Sequence, residues 1–175
     1  EKLLEEDTRR QAEAKRALIS INLSAVYLLT ASYGFHYAQS LIKKAAEALE
    51  QFCSDERMLF KTFESRFIFY LKRYKNKDEL IGFCSAIAAS LEALFVTDRV
   101  GGSIGVLEIG RDNELNVDLM LRRLLIASER SINLFDRDFK ACFYDSNLEA
   151  IVNREGSIRQ ALSRIAADDS SRELF

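Results

Sequence analysis

The chain has 175 residues, 48% of them apolar and 30% charged, with a formal net charge of −2. That length fits a single domain able to bury a core without disulfides or metals. The near balance of charge gives no electrostatic footing for nucleic acid or an anionic membrane surface, and no apolar run reaches the roughly 18 residues that a membrane span requires.

Residues 1–17 are charged, Ala-rich and free of glycine. They predict a helix that acts as a surface or coiled-coil connector. Leu18–Leu23, LISINL, has the apolar content of a central strand. Ser24 is positioned to N-cap a short helix running to Leu29, and Tyr33-Gly34 marks a break. Residues 37–52 carry Leu41, Ile42, Ala45, Ala46 and Leu49 at helical spacing, which predicts an amphipathic helix. Residues 58–63 and 66–71 are Phe-rich and predict a hairpin around Glu64-Ser65, although the usual Asn-Gly or Asp-Gly turn is missing. A basic turn over Lys72–Lys77 leads to a second amphipathic helix at 78–96. Gly101–Ile109 reads as a strand whose glycines mark a bulge or a close backbone approach. A helix over 114–134, a strand over 139–144 and a helix over 146–167 complete the order. Helices separated by strands, with one hairpin in the middle, predict a mixed sheet flanked by helices.

The isolated chemical groups point nowhere specific. Cys53, Cys84 and Cys142 form no CxxC or Cys/His cluster, so they read as small buried apolar residues, and reduced thiols point to the cytoplasm. No signal peptide is visible. The chain opens without Met, so a longer parent is expected. His36 lacks partners for acid–base work and reads as an exposed turn residue. Gly101-Gly102-Ser103-Ile104-Gly105 lacks the Lys-Ser/Thr of a phosphate loop. Phe60, Phe63, Phe67, Phe69 and Tyr70 could stack bases, but no basic groove flanks them, so core packing is the better reading.

In order and spacing, residues 18–145 resemble the GGDEF family of diguanylate cyclase domains. LISINL is similar to the family's first strand, Tyr33-Gly34 to its Tyr-Gly-His turn, and Ser103-Ile104-Gly105 to its Ser-Ile-Gly strand. Leu125-Ile126-Ala127 and FKACFYD resemble the last helix and strand. The resemblance implies an α/β fold of sandwich type, with a mainly antiparallel five-stranded sheet like that of nucleotide cyclases and polymerase palms. It divides the chain into a connector (1–17), a degenerate GGDEF domain (18–145) and a linker helix (146–175) similar to those that lead into an EAL phosphodiesterase domain.

Position by position, the resemblance implies lost chemistry. Family members hold two divalent cations and a triphosphate with carboxylates, because hard cations need anionic oxygens. The signature aligns with Phe63-Glu64-Ser65-Arg66-Phe67, of which only the last residue matches. Shifting the alignment by one residue makes Glu64 an acid of the motif but restores neither glycine nor a second acid. The metal and nucleotide positions align with Asn22, its neighbour Leu23, Thr30 and Gln39. The inhibitory Arg-x-x-Asp aligns with Ser54-Asp55-Glu56-Arg57 in the wrong charge order. The wide-turn motif before the first strand is represented only by Asp7-Thr8-Arg9-Arg10, and a phosphate-contacting lysine falls near Leu134-Phe135. The implied reading is a catalytically inactive regulatory or scaffolding domain. It would have no cofactor or metal and no nucleic-acid partner, and an adjacent EAL-type domain and a homodimer are the partners to expect. A GTP-binding allosteric domain that controls the EAL neighbour, with Mg-GTP bound but not turned over, is the alternative, and an active cyclase the minor one.

Overall fold

The computed structural model describes residues 15–23, 26–62, 65–97, 100–110, 116–130 and 138–172. Five strands, β1 (Arg16–Asn22), β2 (Arg57–Lys61), β3 (Arg66–Leu71), β4 (Gly102–Ile109) and β5 (Phe139–Phe143), form one sheet in the order β2-β3-β1-β4-β5. The first three pairings are antiparallel and β4–β5 is parallel. The parallel pair needs a crossover, which α4 (Val117–Arg130) supplies. The other helices are α1 (Val26–Tyr33), α2 (Phe35–Glu50), α3 (Lys77–Leu94) and α5 (Ser146–Arg172). This is the mixed sheet that the element order predicts and the mainly antiparallel five-stranded one that the family resemblance implies.

The alternation of side chains along each strand sorts the core into two layers. Ala17, Ile19 and Ile21 of β1, Phe67, Phe69 and Leu71 of β3, and Ile104 and Val106 of β4 pack against α2 and α3 through Leu41, Ala45, Leu49, Leu80, Phe83 and Ile87. Leu18, Tyr70, Leu107 and Ile109 turn the other way, onto Val117, Met120 and Leu124. Each fully buried Leu, Ile or Phe contributes on the order of 1.5–3 kcal/mol. Phe67, Phe69 and Tyr70 of the aromatic set are therefore core residues, on both faces. At Gly105 an added Cβ would stand 2.5 Å from the Ser128 nitrogen, so the absent side chain is what lets α4 lie close against β4.

Local signals set several ends. Asn76 caps α3 by accepting the Glu79 N–H at 2.9 Å, and the Glu79 carboxylate accepts the Lys75 N–H at 2.8 Å. Gly34 holds a φ of 88°, a conformation that side-chain-bearing residues rarely adopt, and its N–H closes α1 on the Thr30 carbonyl at 3.0 Å. At the far side of the sheet the Glu92 carboxylate of α3 accepts the Phe139 N–H at 2.9 Å, pinning the start of β5.

Four expectations need correction. The helix expected over 1–17 does not extend to Arg16 and Ala17, which open β1 because both are buried and paired with Ile109 and Glu108; residues 1–14 lie outside the described residues, as does Ser24. The hairpin does not turn on Glu64-Ser65 alone. Strand pairing stops at Lys61↔Phe67, and the Thr62 N–H donates to the Arg66 carbonyl at 3.0 Å, so no two-residue turn sequence is needed. Cys53 is exposed, because it follows the last turn of α2, where the buried face has ended; Cys84 is buried and Cys142 half-buried. His36 is exposed as expected, but it sits in the first turn of α2 rather than in a turn.

The chain divides into two units, one up to Tyr144 and one from Asp145 onward. The second is α5, five residues longer than its periodicity predicts. Its start is fixed by the Asp145 carboxylate, which accepts the Leu148 N–H at 2.7 Å.

Candidate functional site

The positions singled out in β1 and in the hairpin come together at one end of the sheet. Asn22 ends β1 with Arg66 of β3 opposite it on one side and Ser103 of β4 on the other. All three turn toward the α4 face. The Arg66 guanidinium stands 3.7 Å from the Glu129 carboxylate of α4, and the Ser103 and Ser128 hydroxyls share a buried hydrogen bond of 3.1 Å. Asn22 itself is buried. The result is a cross-strand row, Arg66–Asn22–Ser103, capped by Ser128 and Glu129 from the last turns of α4.

The neighbouring positions are committed to structure. The Leu23 side chain is fully buried; its N–H donates to the Ser65 carbonyl at 3.1 Å, and its own carbonyl accepts the Val26 N–H at 3.0 Å. Ser65 thus ties the hairpin to β1 through its backbone. Phe67 is a core residue of the opposite face. Phe63 and Glu64 lie outside the described residues, as do Leu134 and Phe135. Thr30 is half-buried within α1, and its hydroxyl donates to the Val26 carbonyl at 3.2 Å. Gln39 is exposed on α2. Gly102 presses on the row from β4, since a Cβ there would stand 2.5 Å from the Asn22 carbonyl oxygen.

A cavity of about 740 Å³ adjoins this end, with Lys61, Thr62 and Arg66 at one side and Ile68, Leu121 and Leu125 along the other. Its described lining contains two cationic side chains and no carboxylate. Among the described residues no cluster of three or more His, Cys, Asp or Glu is placed to hold a metal ion. A divalent cation binds through several oxygens, mostly anionic. Here the one described carboxylate at the row, Glu129, faces a guanidinium.

The other end of the sheet carries the Ser54–Arg57 segment. Ser54 and Arg57 exchange backbone hydrogen bonds of 3.0 and 3.1 Å. The Arg57 guanidinium lies 3.7 Å from Glu79 and 4.8 Å from the centre of the Phe83 ring. A cavity of about 460 Å³ opens between this segment and Arg73, Tyr74 and Lys75. Burial, with the Glu108 charge second, pushes the Tyr74 hydroxyl above its ordinary pKa.

Sequence reasoning missed Ser128 and Glu129. Both lie in a helix whose apolar spacing is its dominant signal, and nothing in that spacing says that its last turn meets Ser103 and Arg66.

No protein-family model matches the chain, and no curated protein sequence matches it. Solved structures do. The chain is similar to the active GGEEF domain of a diguanylate cyclase from Vibrio cholerae, with TM-score 0.63 and 14% identity over 82% of this chain and 91% of that one. It is similar to the GGDEF domain of TpbB (YfiN) from Pseudomonas aeruginosa, with TM-score 0.65 and 12% identity over 86% and 88% of the two chains. An EAL/GGDEF domain protein from M. capsulatus aligns with TM-score 0.57 and 18% identity over 76% and 86%. The fold is that of GGDEF domains.

Proposed function

We propose that this chain is a catalytically inactive, GGDEF-like regulatory domain of cyclic di-GMP signalling. It positions or tunes a neighbouring domain and turns over no nucleotide. The reading rests on the row Arg66–Asn22–Ser103. A phosphoryl-transfer site needs anionic oxygens to hold its cations. This row offers an amide, a hydroxyl already bonded to Ser128, and a cation facing Glu129. By the family alignment Arg66 would bring positive charge to a position where a metal ligand is needed, and like charges repel.

An EAL-type domain in the same polypeptide is the proposed neighbour. Support comes from the EAL/GGDEF protein among the structural matches and from the long helix α5 that follows the last strand. No helix among the described residues is long and apolar enough to cross a membrane, and a cytoplasmic site of action fits a domain of this kind.

The test is an assay of the purified chain with GTP and Mg²⁺, read by chromatographic detection of cyclic di-GMP. The expected result is no product above a protein-free control. Turnover-dependent accumulation of cyclic di-GMP would refute the proposal.

A further inference from the structure

Helix α4 packs mainly over β4 and β1. Beside it, the sheet face at the β2–β3 hairpin is only partly covered. Phe60 and Ile68, paired across the hairpin, are both half-buried, and Leu125 on the flank of α4 is 39% exposed. The groove here is the cavity of about 740 Å³, within the range of about 300–1,000 Å³ usual for small-ligand sites. Its chemistry is uneven. Leu121, Leu124 and Leu125 stand three and four residues apart on α4 and form one continuous aliphatic wall with Ile68 opposite. Lys61 and Arg66 stand together at the hairpin end.

That unevenness selects a ligand. An aliphatic wall offers no partner to a polar ring edge, so a nucleobase would give up the hydrogen bonds it makes in water. An alkyl or aryl body leaves water favourably on entering. Two cations beside the wall favour an anionic head, and a guanidinium matches a carboxylate through two parallel hydrogen bonds. The present partner of Arg66 holds it loosely. The Glu129 carboxylate is 3.7 Å away and its side chain is 64% exposed, beyond the about 2.7–2.9 Å of a charge-assisted hydrogen bond. Glu129 is therefore a competitor for the guanidinium that a ligand head displaces. Membrane-binding surfaces present apolar side chains outward beside basic ones, whereas these leucines line a recess.

We propose that the groove between α4 and the hairpin binds a small amphipathic carboxylate, its apolar body against Ile68, Leu121 and Leu125 and its anionic head at Lys61 and Arg66. The proposal goes beyond the regulatory reading and does not depend on it, because it needs neither a metal nor a nucleotide.

Calorimetric titration of the full chain with monomeric decanoate tests it, with decanol and acetate as the two halves of the probe. The expected result is saturable binding of one decanoate per chain with a Kd of about 10–300 μM, in keeping with its size. Decanol should bind at least about tenfold more weakly, for want of a charged head, and acetate should show no saturation. Leu125→Asp, at an exposed flank, should abolish binding, and Arg66→Gln should weaken it at least about fivefold. Glu129→Gln should tighten it about two- to fivefold by removing the competing charge, a gain that a loosened fold would not produce. A parent without saturable heat up to about 2 mM decanoate overturns the proposal. Decanol binding as tightly as decanoate overturns it too, as do Arg66→Gln and Leu125→Asp variants that bind like the parent. Binding to anionic phospholipid vesicles without binding of monomeric decanoate would assign the groove to a membrane surface and overturn it as well.

Discussion

The middle of the sheet and its Asn22 end are built from the same three strands, yet they obey different demands. In the middle, Ile19 sits between Phe69 and Val106, and all three are buried against α2 and α3. At the end, three residues further along β1, Asn22 sits between Arg66 and Ser103. A core asks for volume and apolar surface, and many sequences supply both. A metal–phosphate site asks for particular atoms at particular places. The chain meets the first demand throughout. At the Asn22 end it presents groups engaged with one another, Arg66 with Glu129 and Ser103 with Ser128. The fold can therefore match that of GGDEF domains at 12–18% identity.

The comparison can be broken from either side. The largest expected effect is in the middle: Phe69→Ala removes a fully buried ring that packs edge-on against Phe83 at 5.3 Å. It should cost about 3–5 kcal/mol in urea unfolding. A second core effect depends on pH. Burial pushes the Cys84 thiol up to about 12 from 9.0, so between those values the folded state holds a proton that the unfolded state releases. That contribution is fully present below pH 9.0 and is lost as pH rises toward 12. Within this window stability should fall by about 1.4 kcal/mol for every tenfold drop in proton concentration, and Cys84→Ala should flatten the fall. Where the middle meets α4, Gly105→Val forces a side chain against the Ser128 backbone and should cost about 1–3 kcal/mol by the same unfolding measurement.

The polar row should respond more weakly. Ser103→Ala removes one buried hydroxyl pair and should cost about 1 kcal/mol. Glu129→Gln alters a partly exposed ion pair with a 3.7 Å separation; thermal melts should show a change of about 0–1 kcal/mol that shrinks further in high salt. A loss of several kcal/mol at Glu129 would mean that the end of the sheet is as tightly built as its middle, and would end the contrast.

The legibility of the sequence follows the same division. The strand of LISINL, the α2 face through Leu41, Ile42, Ala45 and Leu49, and the Gly34 break were readable because periodicity and glycine chemistry are local. The close approach at Gly102 and Gly105 was readable as a class of event, though not its partners, since Asn22 lies 80 residues before Gly102 and Ser128 23 residues after Gly105. Arg16 was unreadable as a strand residue because its charge continues the pattern of 1–15, while its pairing with Ile109 of β4 is a long-range contact. Cys53 misled because the burial habit of cysteine says nothing about where a helix face ends. Glu129 needed the tertiary structure, since only the packing of α4 over β4 brings it to Arg66. The resemblance located Asn22 and Arg66 as matching positions, and the register of β1 against β3 sets them side by side.

The central claim is that this end of the sheet has no means of holding a metal-bound triphosphate. Calorimetric titration of the chain with GTP in excess Mg²⁺, beside the double variant Asn22→Asp with Arg66→Asp, puts it to the test. The account predicts no saturable heat for the parent up to about 1 mM ligand, the affinity equivalent of roughly 4 kcal/mol, and magnesium-dependent heat only where the two acids are introduced. Saturable, magnesium-dependent binding by the parent that Asn22→Ala abolishes would contradict it.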